Sequence, residues 1–374
     1  LIAARALLFA ACLLPAQEAR KVVKITGEGH KLVLFSDGSV GGWGDIRDGQ
    51  LGPRAEIPSV SDRSKAFVKL SVPGRVLDVA AGARTTYLLL EDGTVWAMGW
   101  GIDGELGCAE PCPKPSEKLT PVAGVREATQ LAASGKVAFA VHRDGSVTQW
   151  GDGAKNAPGK VNGVSAVTQL SAGGGHVLAR TSRGSVLAWG KLAIGRIYYD
   201  DPVKPPHEVP GLSGVVSVTA TGVAAALKDD GTVWVWGNNQ QAQFGNGRRD
   251  VDDQSRVPIR VPGVSDVTAL SGAELGRHFL ALRKDGTVVA WGNTDWGQVG
   301  NGVSGREQST PVALRISRVQ SVFAAGNNSF ALLRDGSLRM WGAGADYPGE
   351  WPLPKNAKLP VVLDFASGVT PAVQ

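Results

Sequence analysis

Few residues in this chain have types and spacings that could do chemistry. Its 374 residues hold 5 His and 3 Cys, so metal or thiol chemistry would rest on a small set of groups. Cys108 and Cys112, in the run Cys108-Ala109-Glu110-Pro111-Cys112, are the one pair outside the N-terminal stretch. Two thiols four residues apart fit a disulfide in an oxidising compartment, provided so short a loop can close. They also match half of a zinc site. Without a second Cys or His pair to complete the tetrahedron, no metal is expected. The acidic groups Asp200-Asp201 and Asp250, Asp252 and Asp253 lack the ligand spacing of a calcium loop and read as solvated. A Gly-x-Ser-x-Gly elbow, a His-Glu-x-x-His helix and a phosphate loop ending in Gly-Lys-Ser/Thr are all missing, so neither catalytic residues nor a cofactor are assigned. Two carboxylates brought together only by folding would leave no trace in sequence.

The elements that must position these residues come as a repeat. Asp230-Gly231-Thr232-Val233-Trp234-Val235-Trp236-Gly237 returns with small changes at Asp37-Gly38, Asp92-Gly93, Asp144-Gly145, Arg183-Gly184, Asp285-Gly286 and Asp335-Gly336. The spacing of 39 to 55 residues between successive copies belongs to propellers and arrays rather than to independent domains. The repeat also accounts for most of the 50 Gly and 11 Trp. Asp-Gly between apolar runs predicts a two-residue type I′ hairpin loop. The Ser or Thr and Val after it, and runs such as Leu88-Leu89-Leu90 before it, predict paired strands. These strands are apolar on successive residues, so both sheet faces should be covered by neighbours.

Three further phrases accompany each hairpin. A Val-rich strand and a Gly turn come before it, sometimes with a His: His30, His176 or His278. Thr85 and Ser329 hold that place in other copies. A position that accepts Thr and Ser is not a ligand set, and these imidazoles are expected to pack or hydrogen-bond between units. Gly49-Gln50-Leu51-Gly52 follows the hairpin and reappears as Gly104-Glu105-Leu106-Gly107 and Gly297-Gln298-Val299-Gly300, more loosely as Gln243-Phe244-Gly245. A Pro-Val pair closes several units, at Pro121-Val122, Pro311-Val312 and Pro360-Val361. Four strands per unit are expected.

A unit built of these phrases resembles the regulator of chromosome condensation repeat, whose family forms seven-bladed β-propellers; the match covers about residues 20 to 374. The resemblance implies an all-β ring of four-stranded antiparallel blades. The first unit has no Pro-Val strand before Val22 while Pro360-Val361-Val362-Leu363 is surplus, so the C-terminal strand is expected to join the first blade and close the ring. The family's namesake performs guanine nucleotide exchange in the nucleus. An exported bacterial propeller similar in fold and repeat inhibits β-lactamase.

The stretch 1–19, apolar except for Arg5 and its last residues, reads as an export signal. Cys12 is a lipidation candidate if Phe9-Ala10-Ala11-Cys12 serves as a lipoprotein box; simple cleavage near Ala16 to Ala19 is the other reading. Residues 20–374 form the propeller, expected as a monomer in a secreted, periplasmic or cell-surface location, with membrane contact only through that N-terminal segment. The net charge of +5 is scattered and no reading motif accompanies it, so nucleic acid is not an expected partner. In an antiparallel blade the Asp-Gly turns lie on one face and the long loops after each Trp-Gly on the other. Variable loops on one face of a repeat fold form binding surfaces, and aromatics anchor them. Trp100, Tyr198, Tyr199, Trp296, Tyr347 and Trp351 are the candidates. The leading functional reading is an exported, non-enzymatic protein-binding scaffold with an unidentified protein partner. The alternatives are inhibition of a secreted enzyme, hydrolysis or lysis of a polysaccharide at the ring mouth, and nucleotide exchange.

Overall fold

The computed structural model describes residues 20–57, 59–60, 63–64, 67–151, 157–190, 204–249, 254–273, 277–343 and 356–363. Within them, seven four-stranded antiparallel sheets follow one another along the chain. Blade 1 is Val22–Thr26, His30–Phe35, Val40–Gly44 and Val68–Lys69; blade 7 is Val319–Ala325, Asn328–Leu333, Leu338–Ala343 and Asn356–Leu363. In every blade chain order is also spatial order, from inner to outer strand. Each inner strand touches the inner strands on both sides, and Val22–Thr26 meets Val319–Ala325. The seven sheets therefore close into a propeller.

The successive apolar residues are explained by packing on both faces. All six residues of His30–Phe35 and of Thr85–Leu90 are buried. Each core is shared between two blades: Leu227, Val233, Val235 and Val261 of blade 5 pack with Phe279, Ala281, Val289 and Trp291 of blade 6. Full burial of such a side chain contributes about 1.5–3 kcal/mol, so blade-to-blade contact holds the ring together.

The hairpins differ from the expected type I′ form. Gly38 N donates to Phe35 O at 2.9 Å, Phe35 N donates to Ser39 O at 3.0 Å, and Gly38 has φ +81° while no Asp-Gly aspartate has positive φ. This is a three-residue loop, a type I turn followed by a glycine bulge. Asp37 Oδ1 accepts from Ser39 N at 2.9 Å and Ser39 Oγ at 2.6 Å, and Asp92, Asp230, Asp285 and Asp335 repeat the contact. The aspartate stays in negative φ because its carboxylate caps the turn, and only the glycine needs the left-handed region.

Ring closure also differs from the expectation. The C-terminal strand Asn356–Leu363 pairs with Leu338–Ala343 in blade 7, not with blade 1. Blade 1 takes its outer strand locally, from Val68–Lys69 against Gly41 and Gly42. The outer strand ends each unit rather than beginning the next. Closure comes from side chains instead: Val22, Ile25, Val33, Phe35 and Trp43 pack with Phe330, Leu332, Leu338 and Met340.

The two faces are distinct. Asp-Gly turns adjoin the connectors between blades, where Gly38 O accepts from Val76 N at 3.1 Å and Gly231 O from Val267 N at 3.1 Å. Loops after the third strand emerge on the opposite face.

Candidate functional site

The long loops are fixed at their roots by the Gly-Gln-Leu-Gly phrase. Gln50 Oε1 accepts from Asp48 N at 2.9 Å, Glu105 Oε2 from Asp103 N at 2.8 Å, Gln243 Oε1 from Gln241 N at 2.8 Å and Gln298 Oε1 from Trp296 N at 2.8 Å. Burial pushes the Glu105 carboxyl up from its ordinary range. The next residue, Leu51, Leu106, Phe244 or Val299, is buried between blades. The main-chain carbonyl of the same Gln or Glu takes a donor from the following blade: Trp150 Nε1 to Glu105 O at 3.0 Å, Trp291 Nε1 to Gln243 O at 2.7 Å, Trp341 Nε1 to Gln298 O at 2.8 Å. Blade 3 lacks the phrase, and Trp189 Nε1, which follows it, finds no acceptor among the described residues.

Polar braces then tie neighbouring loops to each other. Arg84 of blade 2 grips Asp48 of blade 1 with Nε at 2.5 Å and Nη2 at 2.7 Å, a bidentate geometry. Lys136 of blade 3 meets Asp103 of blade 2 at 2.8 Å. Arg249 of blade 5 pairs with Glu307 of blade 6, and Asn293 Nδ2 donates to Gln241 Oε1. The described part of this face is thus a cross-linked platform.

On that platform the candidate aromatics fare differently. Trp296 is 45% exposed. Trp100 is half-buried, with the Arg84 guanidinium carbon 4.0 Å above its ring, so Asp48, Arg84 and Trp100 form one stack. Tyr198, Tyr199, Tyr347 and Trp351 lie outside the described residues, as does Cys12 with the whole 1–19 segment. Ile102 and Val303, exposed to 53% and 46%, stand on the same loops as Trp100 and Trp296. Sequence reasoning passed over them because it searched for rings; an aliphatic residue in a Gly-rich loop was the available signal. Cys108 and Cys112 are joined by a disulfide, with Cα atoms 5.6 Å apart, in the loop that carries Trp100 and Ile102.

The histidines sit in the joints. His30 Nε2 lies 2.9 Å from Thr86 Oγ1 of blade 2, and that hydroxyl donates to Gln50 O at 2.6 Å. With its one proton used there, Thr86 can only accept from His30, which makes Nε2 the protonated nitrogen of a neutral ring. His278, Ser329 and Gln298 O repeat the relay at 2.7 and 2.7 Å. His176 is buried, with neither nitrogen partnered among the described residues. Burial lowers His30 to about 3 and His176 to about 4. Among the described residues no three His, Cys, Asp or Glu side chains gather as a metal site.

The axial cavity is lined by small residues, among them Ala81, Ala133, Ala172, Ala220, Gly272 and Ala325. Of the described residues that line it, Glu28 is the one carboxylate. Around its wall the inner strands are laced together. Gln130 Oε1 accepts from Leu170 N at 2.8 Å, Gln169 Oε1 from Val218 N at 2.9 Å and Asp78 Oδ2 from Leu131 N at 2.8 Å. Each of these side chains follows a β-bulge that recurs in its inner strand.

Residues 230–282, 76–105 and 167–191 match the family described as regulator of chromosome condensation (RCC1) repeat. The chain is 28% identical over 391 residues to the RCC1 domain-containing protein RUG3, mitochondrial, of Arabidopsis thaliana, covering 89% of this chain and 83% of that protein. It is 27% identical over 290 residues to the human E3 ubiquitin-protein ligase HERC2, covering 76% of this chain but 5% of the ligase. Its fold is similar to that of Prp20p from Saccharomyces cerevisiae, with a TM-score of 0.74, 22% identity, and 92% and 88% of the two chains covered. Seven blades, the buried Gly-Gln-Leu-Gly wedges and these matches agree: the chain is a seven-bladed propeller that carries the regulator of chromosome condensation repeat.

Proposed function

We propose that this propeller is a non-enzymatic scaffold that binds a protein partner through its long-loop face. The observation that carries the reading is Trp296, a large apolar ring exposed to 45% on a loop whose root is pinned by Gln298. Ordering a flexible loop opposes binding, and here the cross-braces have already paid that cost. Exposed aromatic and aliphatic anchors on a rigid frame suit a protein interface. The Asp-Gly face is occupied by turn and connector hydrogen bonds and offers less freedom. The yeast Prp20p structure is described with its binding properties to Gsp1p and histones, which supports protein binding as a use of this fold. We further propose that residues 1–19 direct export and that the chain works outside the cytoplasm, where the Cys108–Cys112 bond would persist.

The test is capture of partners by the purified chain beside two variants of equal melting temperature. One carries Ile102→Ser, Trp296→Ala and Val303→Ser on the long-loop face; the other carries Glu91→Ala and Lys284→Ala on the Asp-Gly face. A partner lost by the first variant and kept by the second supports the reading. Loss in the second alone would place the interface on the wrong face.

A further inference from the structure

Six blades carry a tryptophan just before the glycine that ends the third-strand motif: Trp43, Trp150, Trp189, Trp236, Trp291 and Trp341. Blade 2 has Met98 there. At the joint between blades 1 and 2, therefore, no indole enters at this position, although Trp96, two residues earlier, packs against the shared core. The glycine that closes the Gly-Gln-Leu-Gly phrase shows what this leaves behind. A Cβ placed on Gly107 would lie 2.8 Å from Trp150 Cδ1, and one on Gly300 would lie 2.4 Å from Trp341 Nε1. A Cβ on Gly52, their counterpart, would meet nothing within 4 Å among the described residues. A cavity of about 450 Å³ lies at this place, with Leu51, Gly52, Ile57, Leu70, Met98 and Leu119 in its wall.

The buried Gln50 carbonyl, which is not in that wall, takes one donor fewer than its counterpart. Gln298 O, the equivalent carbonyl in blade 6, takes both Ser329 Oγ at 2.7 Å and Trp341 Nε1 at 2.8 Å. Gln50 O takes Thr86 Oγ1 at 2.6 Å, and Met98 has no N–H to supply the second bond. A carbonyl oxygen has two lone pairs. Apolar walls and the open approach to Gly52, at the place where Gly107 and Gly300 meet a tryptophan ring, specify the shape of an indole.

We infer that the joint between blades 1 and 2 is a socket for an indole from outside, the tryptophan side chain of a partner polypeptide. The cavity falls in the size range of ligand sites, roughly 300–1,000 Å³. It lies between the outer strands of the two blades, where Lys69 and Lys118 alternate with Glu56 and Glu117 along its edge; charges of both signs suit the amides of a peptide chain. This site is separate from the long-loop anchors at Ile102, Trp296 and Val303, so either can fail without the other.

Methyl spectra test it directly, because the chain has 2 Met. Met98 lines the socket and Met340 is fully buried in blade 7. Titration of the ¹³C-methyl-labelled full chain with N-acetyl-L-tryptophanamide should shift the Met98 signal saturably and leave Met340 in place. N-acetyl-L-leucinamide should bind at least about tenfold more weakly. Met98→Trp should fill the socket from within, raise the melting temperature and abolish the titration read by calorimetry. Should that variant misfold, Leu119→Glu, at a half-buried wall position, must weaken binding at an unchanged melting temperature. A Met98 signal that stays fixed at millimolar ligand, or equal binding by Met98→Trp, overturns the proposal.

Discussion

Trp150 Nε1 donates to the carbonyl oxygen of Glu105, 3.0 Å away in the preceding blade, and Tyr87 OH donates to the same oxygen at 2.9 Å. The hydrogen bond couples the root of a functional loop to the core of the next blade. Trp150→Phe keeps an apolar ring and removes the donor. Loss of one buried hydrogen bond and part of a ring should cost about 1–3 kcal/mol, measured as a lower urea midpoint with an unchanged slope.

Closure of the ring rests on packing between blades 7 and 1. Phe330 is fully buried and meets Trp43 edge-on, with centroids 6.1 Å apart. Phe330→Ala is expected to destabilise by about 3–5 kcal/mol. Hydrogen exchange should then speed up first in Val22–Thr26 and Val319–Ala325, the two inner strands that face each other across the joint.

Acid should weaken the fold through its buried imidazoles. In the unfolded chain they bind protons near 6.5, whereas in the folded chain burial holds His30 near about 3 and His176 near about 4. Between those values the unfolded state carries protons that the folded state does not. Stability therefore falls as pH drops below about 6.5, by up to about 1.4 kcal/mol per pH unit for each group. His176→Leu loses no hydrogen bond among the described residues, where neither ring nitrogen has a partner. It should flatten the fall in melting temperature between pH 6.5 and 4.

Ala166 sits at φ +55° on the connector into blade 4, where the equivalent residue before Val215 is Gly214 at φ +64°. The left-handed region costs a non-glycine residue about 1–2 kcal/mol. Glycine's added freedom in the unfolded chain offsets about 0.5–1 kcal/mol of that. Ala166→Gly should be neutral to stabilising by about 1 kcal/mol in a denaturant titration, while Gly214→Ala should destabilise.

Blade number, strand count and the division into two faces were legible in the sequence because each rests on local patterning: Asp-Gly turns, apolar strands and a fixed period. The turn type was misread, since Asp-Gly alone does not reveal that the Asp37 carboxylate caps Ser39 and holds its own φ negative. Closure was misread because Pro360-Val361 matches Pro121-Val122 equally well whether that strand ends one unit or begins the next; only pairing decides. His30 and His278 were placed in the joints with Thr85 in the same register; Ser329 was misplaced, since Asn328 pairs with Gly342 as His30 does with Gly44, and Ser329 is instead the partner of His278. On the candidate face, Trp296 stands exposed, whereas Trp100 is covered by Arg84, whose partner Asp48 lies 36 residues earlier in the chain. Such a contact has no local signature. Met98 in place of a tryptophan was visible from the start, but the cavity beside it depends on the open approach to Gly52.

The most direct measurement is a hydrogen-exchange footprint of the propeller bound to a captured partner, read against the free chain. Binding through the long-loop face predicts protection in the loops 100–115 and 293–307 and in the turns 82–84 and 135–136 that brace them, with the Asp-Gly turns unchanged. Protection confined to the Asp-Gly turns and the connectors around Glu127, Asp266 and Arg318 would contradict it.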